Sequence, residues 1–404
     1  MKAYGMFRRQ GCKLLVCFAF ACSPGRQDNV VVEVTGGEGA SGIAAPVSLV
    51  SPPGDIKGST AEMIPEHDPG ASPIYAQVMT EGAEKHLVFL DNPGQTSGKS
   101  VRRFILREPS GQPPDPFAFE KRDDGFLTLT ENGSPVLTYV YGMNLKDGVP
   151  KDRTRANYVH PVYGLDGEIV TDDFPDDHHH HRGMYTAWPR IIVDGDSLDL
   201  WHIRGIEKRF ERWLERETGP VFARLVVLVG WYAGEEKVVE ETLGITVYRA
   251  GAIGRAVDFD FTFAAERPLT ILGSPDLKGY GGFNYRPAPF GEPVITTEEG
   301  VQADSNLRRF PWADFSAKFE GAAARSGVAV FDHADNLNTP NGWCLRHYGF
   351  LGVAWPGNNP YLLQPGKPLR TMYRVWIHRG DAGSGRVSSA YVAYADPPQA
   401  AVVR

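Results

Sequence analysis

Cysteine is scarce in this sequence, with four residues among 404. Cys12, Cys17 and Cys22 lie close to the N-terminus, which leaves Cys344 as the single cysteine of the remaining chain. A disulfide framework is therefore not expected, because Cys344 has no second thiol with which to pair. The sequence predicts that Cys344 is buried and packs as a small apolar side chain.

Long apolar runs and nucleotide-binding motifs are also lacking. Beyond the first 22 residues, no stretch approaches the ~18 consecutive apolar residues that a membrane-spanning helix requires. The sequence contains no phosphate-binding glycine loop, no G-x-S-x-G and no H-E-x-x-H pattern. Its net charge of −7 argues against a nucleic-acid partner, because such binding depends on cationic contacts to phosphate.

The N-terminus has the pattern of an export signal. Four basic residues and no acidic residue precede the short apolar run Leu14–Ala21, which is typical of a signal peptide over residues 1–22. Ala21 before Cys22 also resembles a lipoprotein cleavage site. A lipid anchor on Cys22 and ordinary cleavage nearby therefore both stay open. The prediction is an exported protein of the periplasm or the cell surface.

Composition shifts divide the rest of the chain into segments. Residues 23–45 are rich in Gly, with Ser and Pro, and are interpreted as a flexible linker. Residues 46–114 hold three strand-like segments and predict a small β module. Dense strand signals from 117 to 380 predict the main domain, and residues 381–404 form the predicted C-terminal tail.

The main domain has the periodicity of β-strands. Asn132-Gly133 predicts a hairpin turn. Val221–Trp231 is almost uniformly apolar, as in a strand buried on both faces, and Arg255–Ala264 alternates apolar and polar residues. Ile206–Glu217 is the only candidate for an amphipathic helix. The predicted fold class is all-β: a large antiparallel β-sandwich preceded by the small β module.

Four adjacent histidines lie in the segment Asp176–Gly183. One interpretation is a metal site, since imidazole binds Zn, Cu, Ni and Fe. Alternate residues of an extended strand share a face, so His178 could share an ion with His180. The same holds for His179 with His181. Acid–base chemistry near neutral pH is a second interpretation, and hydrogen bonding to the loop backbone is the third.

Arg182 directly follows the histidines. Its planar guanidinium could bind a carboxylate or vicinal hydroxyls, and the alternative is a structural salt bridge with Asp176 or Asp177. Further along the chain, turn-like segments mix Trp, Arg, Asp, Asn and His, which are residue types that line sugar sites. The candidate residues in these segments are Arg286, Trp312, Asp314, His333, Asn336, Trp343, Arg346 and His347.

Taken together, these segments resemble a bacterial family of unknown function that carries the label methane oxygenase PmoA. The resemblance covers about 117–380 and begins with His160-Pro161-Val162-Tyr163-Gly164 and Asp177–Gly183. Its later motifs are Gly281-Gly282-Phe283 with Arg286, Trp312 with Asp314 and Ser316, Phe331-Asp332-His333 with Asn336, Trp343, Arg346 with Tyr348-Gly349, and Leu363-Gln364-Pro365-Gly366. The module at 46–114 resembles the N-terminal β extension of that family.

Two positions depart from the family pattern. The family has an acidic residue before Gly281, where this chain has Tyr280. It has Asp before the Tyr-Gly pair, where this chain has His347. If either acid is a catalytic base, this chain needs a substitute or acts on a different substrate.

The family is in turn similar to the galactose-mutarotase-like supersandwiches, which include sugar epimerases, hydrolases and lyases. The resemblance implies a site on a concave sheet face, with His180 and His181 as acid/base groups or hydroxyl ligands. Asp314 or His333 would lie opposite them. Methane oxidation is not expected, because the particulate methane monooxygenase subunit of that name spans the membrane several times and this chain has no spanning segment after its leader.

Three hypotheses of function remain. The favoured one is an exported carbohydrate-active enzyme that uses His/Asp acid–base chemistry as a hydrolase, lyase or epimerase, with no cofactor required. The second is a non-catalytic glycan-binding surface protein. The third is a metalloenzyme with a divalent metal on His178 and His180. The expected partner is a carbohydrate or another small molecule, and membrane contact is expected only through a lipid on Cys22.

Overall fold

The structure is a computed structural model that describes residues 30–36, 43–52, 56, 58–91, 100–122 and 124–403. The predicted signal peptide and Cys22 lie outside the described residues. The first strands are β1 (Val30–Gly36), β2 (Ala45–Val50), β3 (Thr60–Pro65), β4 (Ile74–Glu81), β5 (Glu84–Asp91), β6 (Ser100–Arg107), β7 (Phe117–Arg122), β8 (Phe126–Glu131), β9 (Ser134–Val140) and β10 (Tyr158–Val162). They are followed by β11 (Met184–Ala187), β12 (Arg190–Val193), β13 (Asp196–Leu198), β14 (Glu207–Glu217), β15 (Phe222–Ala233), β16 (Glu236–Tyr248), β17 (Gly254–Ala265), β18 (Leu269–Leu272), β19 (Gly282–Tyr285) and β20 (Phe290–Thr297).

The remaining elements are mainly strands. These are β21 (Gly300–Val301), β22 (Ser305–Arg309), β23 (Trp312–Phe319), β24 (Ser326–Asp332), β25 (Gly342–Arg346), β26 (Phe350–Ala354), β27 (Tyr361–Leu363), β28 (Leu369–Arg379) and β29 (Gln399–Val402). A short 3₁₀ turn covers Lys151–Arg153, and a helix, α1, covers Val387–Ala395. No helix within the described residues is long and apolar enough to cross a membrane.

Within the described residues the strands form four antiparallel sheets, which confirms the all-β prediction. The module sheet has the order β2-β5-β4-β3-β6-β1-β29. The front sheet has the order β22-β25-β26-β19-β11-β10-β9-β8-β7, and the back sheet has the order β14-β15-β16-β17-β28-β24-β23-β20-β21. A small sheet contains β13-β12-β18-β27.

One large hydrophobic core takes side chains from both the front and the back sheet, so the two sheets pack face to face as a sandwich. On β17, Phe259, Phe261 and Phe263 are buried in this core, whereas Asp258 and Asp260 are half-buried on the other face. This arrangement confirms the alternation that the sequence predicts, because successive side chains of a strand point to opposite faces.

The segment predicted as a helix is a strand. Residues 207–217 form β14 at the edge of the back sheet, where they pair antiparallel with β15. Nearly all of β15 is buried, as predicted for a strand covered on both faces. Pairing with this strand outweighs the helix propensity of the Glu, Arg and Leu residues in β14.

Both ends of the described chain differ from the prediction. β1 lies inside the predicted linker and pairs with β6, and β29 lies inside the predicted tail and pairs with β1. The module sheet is therefore built from the two ends of the chain. It contacts the sandwich through Gln77, whose Oε1 accepts hydrogen bonds from the backbone N–H groups of Val221 (3.2 Å) and Phe222 (3.1 Å).

Each large sheet carries a second apolar layer on its outer face. On the front sheet, Tyr158, Tyr185, Cys344 and Phe350 form a cluster with Trp201. On the back sheet, a different cluster packs against α1 and includes part of the module. The two outer layers lie on opposite sides of the shared core, and this separation decides which of the predicted site residues can meet.

Candidate functional site

The histidine run belongs to the loop that connects β10 to β11. This loop returns to the sheet very close to β10. At Gly183 an added Cβ would lie 2.3 Å from the carbonyl oxygen of Val159. A residue with a side chain therefore does not fit there, and the glycine fixes where the histidines sit above the front sheet.

Turns, rather than an extended strand, arrange the histidines. The backbone N–H of His178 donates to the carbonyl of Pro175 at 3.0 Å, and that of His181 donates to the carbonyl of His178 at 2.8 Å. The predicted alternation of faces therefore does not apply. Instead His178, His180 and His181 line one cleft, and His179 does not.

Arg182 holds this loop from beneath and does not reach the cleft. Its side chain is completely buried, and its Nη1 donates to the carbonyls of His179 (2.8 Å) and His181 (2.6 Å). Its Nε lies 3.3 Å from Oδ1 of Asp173, and its guanidinium lies 3.5 Å from the centre of the Phe174 ring. This position gives Arg182 a structural role, so the predicted contact with a ligand is wrong. The acidic partner of Arg182 is Asp173, whereas the sequence predicts Asp176 or Asp177.

Stacked rings form one side of the cleft. The His178 ring lies between those of Tyr348, at a centroid distance of 5.1 Å, and His181, at 4.6 Å. The His181 ring also contacts Phe350 (5.1 Å) and Trp201 (5.7 Å). His181 is 2% exposed, and its Nδ1 has no hydrogen-bond partner among the described residues.

His180 lies beside a fifth histidine that an aspartate orients. The ring centroids of His180 and His202 are 4.5 Å apart. Nδ1 of His202 lies 2.8 Å from Oδ2 of Asp199, and the backbone N–H of His202 donates to Oδ1 at 2.9 Å. Because a carboxylate only accepts, Nδ1 carries the proton of this hydrogen bond. Nε2 of a neutral His202 is then the free acceptor.

Burial keeps the adjacent histidines uncharged. Burial, reinforced by His202, lowers the pKa of His180 to about 2. Burial, reinforced by His180 and His178, lowers the pKa of His181 well below its usual value. For Asp199, burial acts to raise the pKa, but the hydrogen bonds from His202 outweigh it and the pKa is lowered. Near neutral pH, neutral imidazoles therefore lie beside an ionised carboxylate.

These groups open onto a cleft of about 590 Å³. Trp201 lies at its base and is 4% exposed, whereas Tyr348 at the rim is 38% exposed. Tyr280 is half-buried in the wall. The polar wall contains Arg190, Asp199, His202, Arg204, Asp276 and Lys278. The cleft thus combines aromatic rings with hydrogen-bond donors and hydrogen-bond acceptors.

Arg286 lies behind this wall. Its Nη2 donates to Oδ1 of Asp177 at 2.7 Å, and its guanidinium lies 5.5 Å from the centre of the Tyr348 ring. The residue is 6% exposed, and its Nε and Nη1 have no hydrogen-bond partner in the part of the chain that the structure describes. Arg286 therefore supports the ring stack, and direct binding of a ligand by this residue stays a prediction.

Asp314 does not meet the histidine run. Its side chain is completely buried in the back sheet, where Oδ1 lies 2.8 Å from Nε2 of His378 and the other oxygen accepts from Ser316. Its neighbour Ala313 points into the central core, so Asp314 points to the far side of the sandwich. The expectation that Asp314 faces the histidines is wrong, because the whole core separates them.

His333 and Asn336 also lie on the back-sheet side. His333 follows β24 and lines a separate cleft of about 370 Å³ between the module and the back sheet, with its ring 5.2 Å from that of Tyr394. Asn336 is 4% exposed, and its Nδ2 donates to Oδ1 of Asp332 and to the carbonyl of Met372, both at 2.7 Å. The expected position of His333 opposite the histidine run is therefore wrong, and Asn336 holds a loop in place.

The two predicted tryptophans are core residues. Trp312 packs in the outer cluster of the back sheet and is 4% exposed. Trp343 is completely buried in the central core, and its Nε1 donates to the carbonyl of Phe310 at 2.7 Å. The prediction that they bind a sugar is wrong, since neither indole offers an open face to a ligand.

Arg346 and His347 lie beyond the wall of the cleft. Nη2 of Arg346 donates to the hydroxyl of Tyr280 at 3.3 Å, and Nη1 donates to the carbonyl of Ser305 at 2.8 Å. Nδ1 of His347 lies 2.7 Å from Oδ1 of Asp304. Arg346 thus positions a residue of the cleft, and direct binding of a substrate by Arg346 or His347 stays a prediction.

The metal hypothesis gains no support from the geometry. Among the described residues, no group of three or more His, Cys, Asp or Glu side chains is arranged to hold a metal ion. The rings of His178 and His180 are 5.6 Å apart and inclined at 75°. A divalent metal on this pair stays a prediction.

Cys344 is a free and buried cysteine, as predicted. It lies in the apolar layer on the outer face of the front sheet. Burial raises the pKa of its thiol to about 12. The thiol therefore stays protonated near neutral pH and acts as a packing group.

Reasoning from sequence misses Asp199, Trp201 and His202. The segment Asp199–His202 does carry a signal, since an acid three residues before a histidine can orient its ring within one turn. Only the fold shows that this turn lies beside the histidine run. The cationic residues Arg190 and Arg204 are missed for the same reason.

Comparison with known families identifies a relationship for most of the sandwich. The sequence profile described as a family of unknown function, DUF6807, matches residues 127–392. The match begins in β8 and ends in α1, so it includes the histidine loop, Asp199 and His202. No curated protein matches this chain.

Proposed function

Because this chain belongs to DUF6807, a family of unknown function, we propose its function from the cleft. The protein is a carbohydrate-active enzyme in which His202, oriented by Asp199, moves a proton to or from a bound sugar. Hydrolases, lyases and epimerases share this step. The observation that carries the proposal is the Asp199–His202 pair, which opens onto a 590 Å³ cleft beside the neutral His180.

The two histidines are suited to different roles. The Asp199 carboxylate stabilises the imidazolium that forms when His202 takes a proton, so His202 can act as a base and then return the proton as an acid. His180, with a pKa of about 2, is too weak a base for that role. A neutral imidazole still offers one N–H donor and one acceptor, which suits the hydroxyl groups of a sugar.

The aromatic residues of the cleft support a sugar as the ligand. Rings that are open to solvent on one face pack against the apolar C–H face of a pyranose, and adjacent polar groups bind its hydroxyls. Tyr348, which is 38% exposed, and the half-buried Tyr280 line the cleft. The resemblance to PmoA-like proteins and galactose-mutarotase-like supersandwiches also motivates this proposal. Methane oxidation is not part of the proposed function.

A matched pair of histidine variants tests the proposed role of His202. A thermal-shift screen of sugars, uronic acids and keto sugars first identifies a ligand that stabilises the folded protein. For a ligand that is turned over, His202→Gln is expected to lower kcat by about 10²–10⁴-fold, the range of general acid–base catalysis. His179→Gln is the control, because the His179 ring lies outside the cleft.

Either of two results would contradict the assignment. Unchanged turnover in His202→Gln would remove this residue from the mechanism. Saturable binding of oligosaccharides without any product would identify a glycan-binding protein instead of an enzyme.

Export is also part of the proposal. It is motivated by the basic and apolar pattern of residues 1–22. Mass spectrometry of the mature N-terminus in the producing bacterium tests it. Cleavage at Cys22 with an added lipid supports an anchored protein, and an intact Met1 overturns export by this signal.

A further inference from the structure

Two arginines line the cleft without a charge partner. Arg190 begins β12 and is half-buried, and Arg204 lies in the turn after His202 and is exposed. Neither guanidinium forms an ion pair or hydrogen bond with any residue of the chain that the structure describes. Two arginines without a charge partner among the described residues therefore line the cleft in which the proposed substrate lies.

The acidic residues of the cleft offset only part of the positive charge of these arginines. Asp199 is held by His202 at 2.8 Å, and Asp276 forms an ion pair with Lys278 at 3.1 Å. With Asp276 and Lys278 paired, Arg190 and Arg204 stand against the single carboxylate of Asp199, so the cleft wall carries an excess of positive charge although the chain as a whole carries a net charge of −7. A local excess of positive charge in an acidic protein favours a negatively charged ligand.

A third arginine adds positive potential from behind the wall. Arg155 is 7% exposed, and its Nη2 donates to the carbonyl oxygens of Leu200 and Trp201. Its Nη1 has no hydrogen-bond partner, and no carboxylate of the described chain forms an ion pair with it. A buried charge acts on the cleft through a medium of low dielectric constant, so solvent screens it less than a surface charge.

We propose that the cleft takes a sugar that bears an anionic group, and that Arg190 and Arg204 bind this group. The carboxylate of a uronic acid and a sulfate ester both present the paired oxygens that a guanidinium fork matches. The inference rests on the proposed function and specifies its substrate class. His180 and His202 then lie next to the hydroxyls and ring carbons of the same sugar.

A set of sugars that differ in the group at C6 tests this inference by isothermal titration of the mature protein, and the acid and its amide are the pair matched in shape. The probes are methyl β-glucuronide, its uncharged amide, methyl β-glucoside 6-sulfate and methyl β-glucoside, together with the corresponding galactose series. The acidic ligands are expected to bind at least about fivefold more tightly than the amide. A fivefold difference in affinity corresponds to about 1 kcal/mol, the most that one exposed ion pair usually contributes, and two arginines are available. The preference is expected to shrink as ionic strength rises, because salt screens exposed charges. The tighter of the carboxylate and the sulfate identifies the natural group.

Arginine variants locate the binding of the anion. Arg190→Gln and Arg204→Gln are each expected to reduce the preference for the acid over the amide, and Arg190→Lys is expected to keep part of it. Arg212→Gln is the control, since Arg212 is exposed on the edge strand β14 and lies outside the cleft. Equal affinity for the acid and the amide would overturn the inference, as would an equal loss in Arg212→Gln.

The outcomes also separate this inference from the proposed function. If neutral and acidic sugars bind equally and His202→Gln still abolishes turnover, the enzyme assignment stands and only the anionic substrate is wrong. If no sugar of either kind binds, both proposals are wrong.

Discussion

Two of the histidine–aspartate pairs in the sandwich, Asp199–His202 and Asp314–His378, lie on opposite outer sides and differ in access rather than in geometry. The nitrogen–oxygen distance is 2.8 Å both in Asp199–His202 and in Asp314–His378. His202 keeps its second nitrogen for the cleft, whereas His378 is completely buried and its second nitrogen lies 3.2 Å from the carbonyl of Arg379. The comparison indicates that a candidate catalytic pair needs a ring nitrogen that is free at an open cleft, in addition to the right residue types and distance.

The largest effect is expected on the stability of the protein, when the buried pair Asp314–His378 is broken. Asp314→Ala leaves His378 and Ser316 in the interior without their acceptor. It is expected to lower the free energy of unfolding by about 2–5 kcal/mol, because each buried donor that is left without an acceptor costs about 1–3 kcal/mol. Urea denaturation measures this loss. Asp147→Ala, at an exposed position, is the control and is expected to change the free energy by no more than about 0.5 kcal/mol. A similarly small effect in Asp314→Ala would contradict the structural role.

A medium effect is expected from pH at His180, which lies beside the open pair Asp199–His202. Because the folded-state pKa of His180 is depressed to about 2 from 6.5, the unfolded chain binds a proton below pH 6.5 that the folded chain does not bind. Stability is therefore complete above pH 6.5 and falls as the pH decreases below it, by up to about 1.4 kcal/mol per pH unit for each such histidine.

His180→Gln isolates this contribution. The variant has no proton to bind at this position, so its free energy of unfolding is expected to fall less steeply with acidification than that of the wild type. Denaturant melts at several pH values between neutrality and pH 5 give the two slopes. Identical slopes would mean that His180 titrates normally in the folded state.

The smallest effect is expected at His333, which lies in the other cleft. His333→Ala removes a partly exposed ring and is expected to cost about 1 kcal/mol or less. Turnover is expected to stay at the wild-type level, because the central core separates this residue from His202. A loss of turnover comparable with that of His202→Gln would restore the role that the family resemblance implies for His333.

The sequence predicts the strands of the sandwich well where the signal is local, as in the alternation of a single strand or in a hairpin turn. The alternation in β17 and the Asn132-Gly133 hairpin both appear as predicted. The pattern fails for β14, because an edge strand with charged residues on its open side has the composition of a surface helix. It also fails at β1 and β29, since pairing between the two ends of a chain leaves no local signal.

The candidate site is less predictable because it depends on which face of which sheet a residue occupies. Asp314 and Trp343 combine the right chemistry with positions that the fold buries. His178 and His180 are found because the run is conspicuous in sequence. Asp199 and His202 become relevant only when the turn after β13 is placed against the histidine loop.

The position of β29 has a consequence for the biosynthesis of the protein. β1 lies between β6 and β29, so the module sheet has an open edge at β1 until residues 399–402 have been translated and added. An open edge of this kind pairs readily with a strand of another chain. A ribosome that stops early, or a product trimmed before Gln399, would therefore release a nearly complete sandwich whose module is prone to self-association.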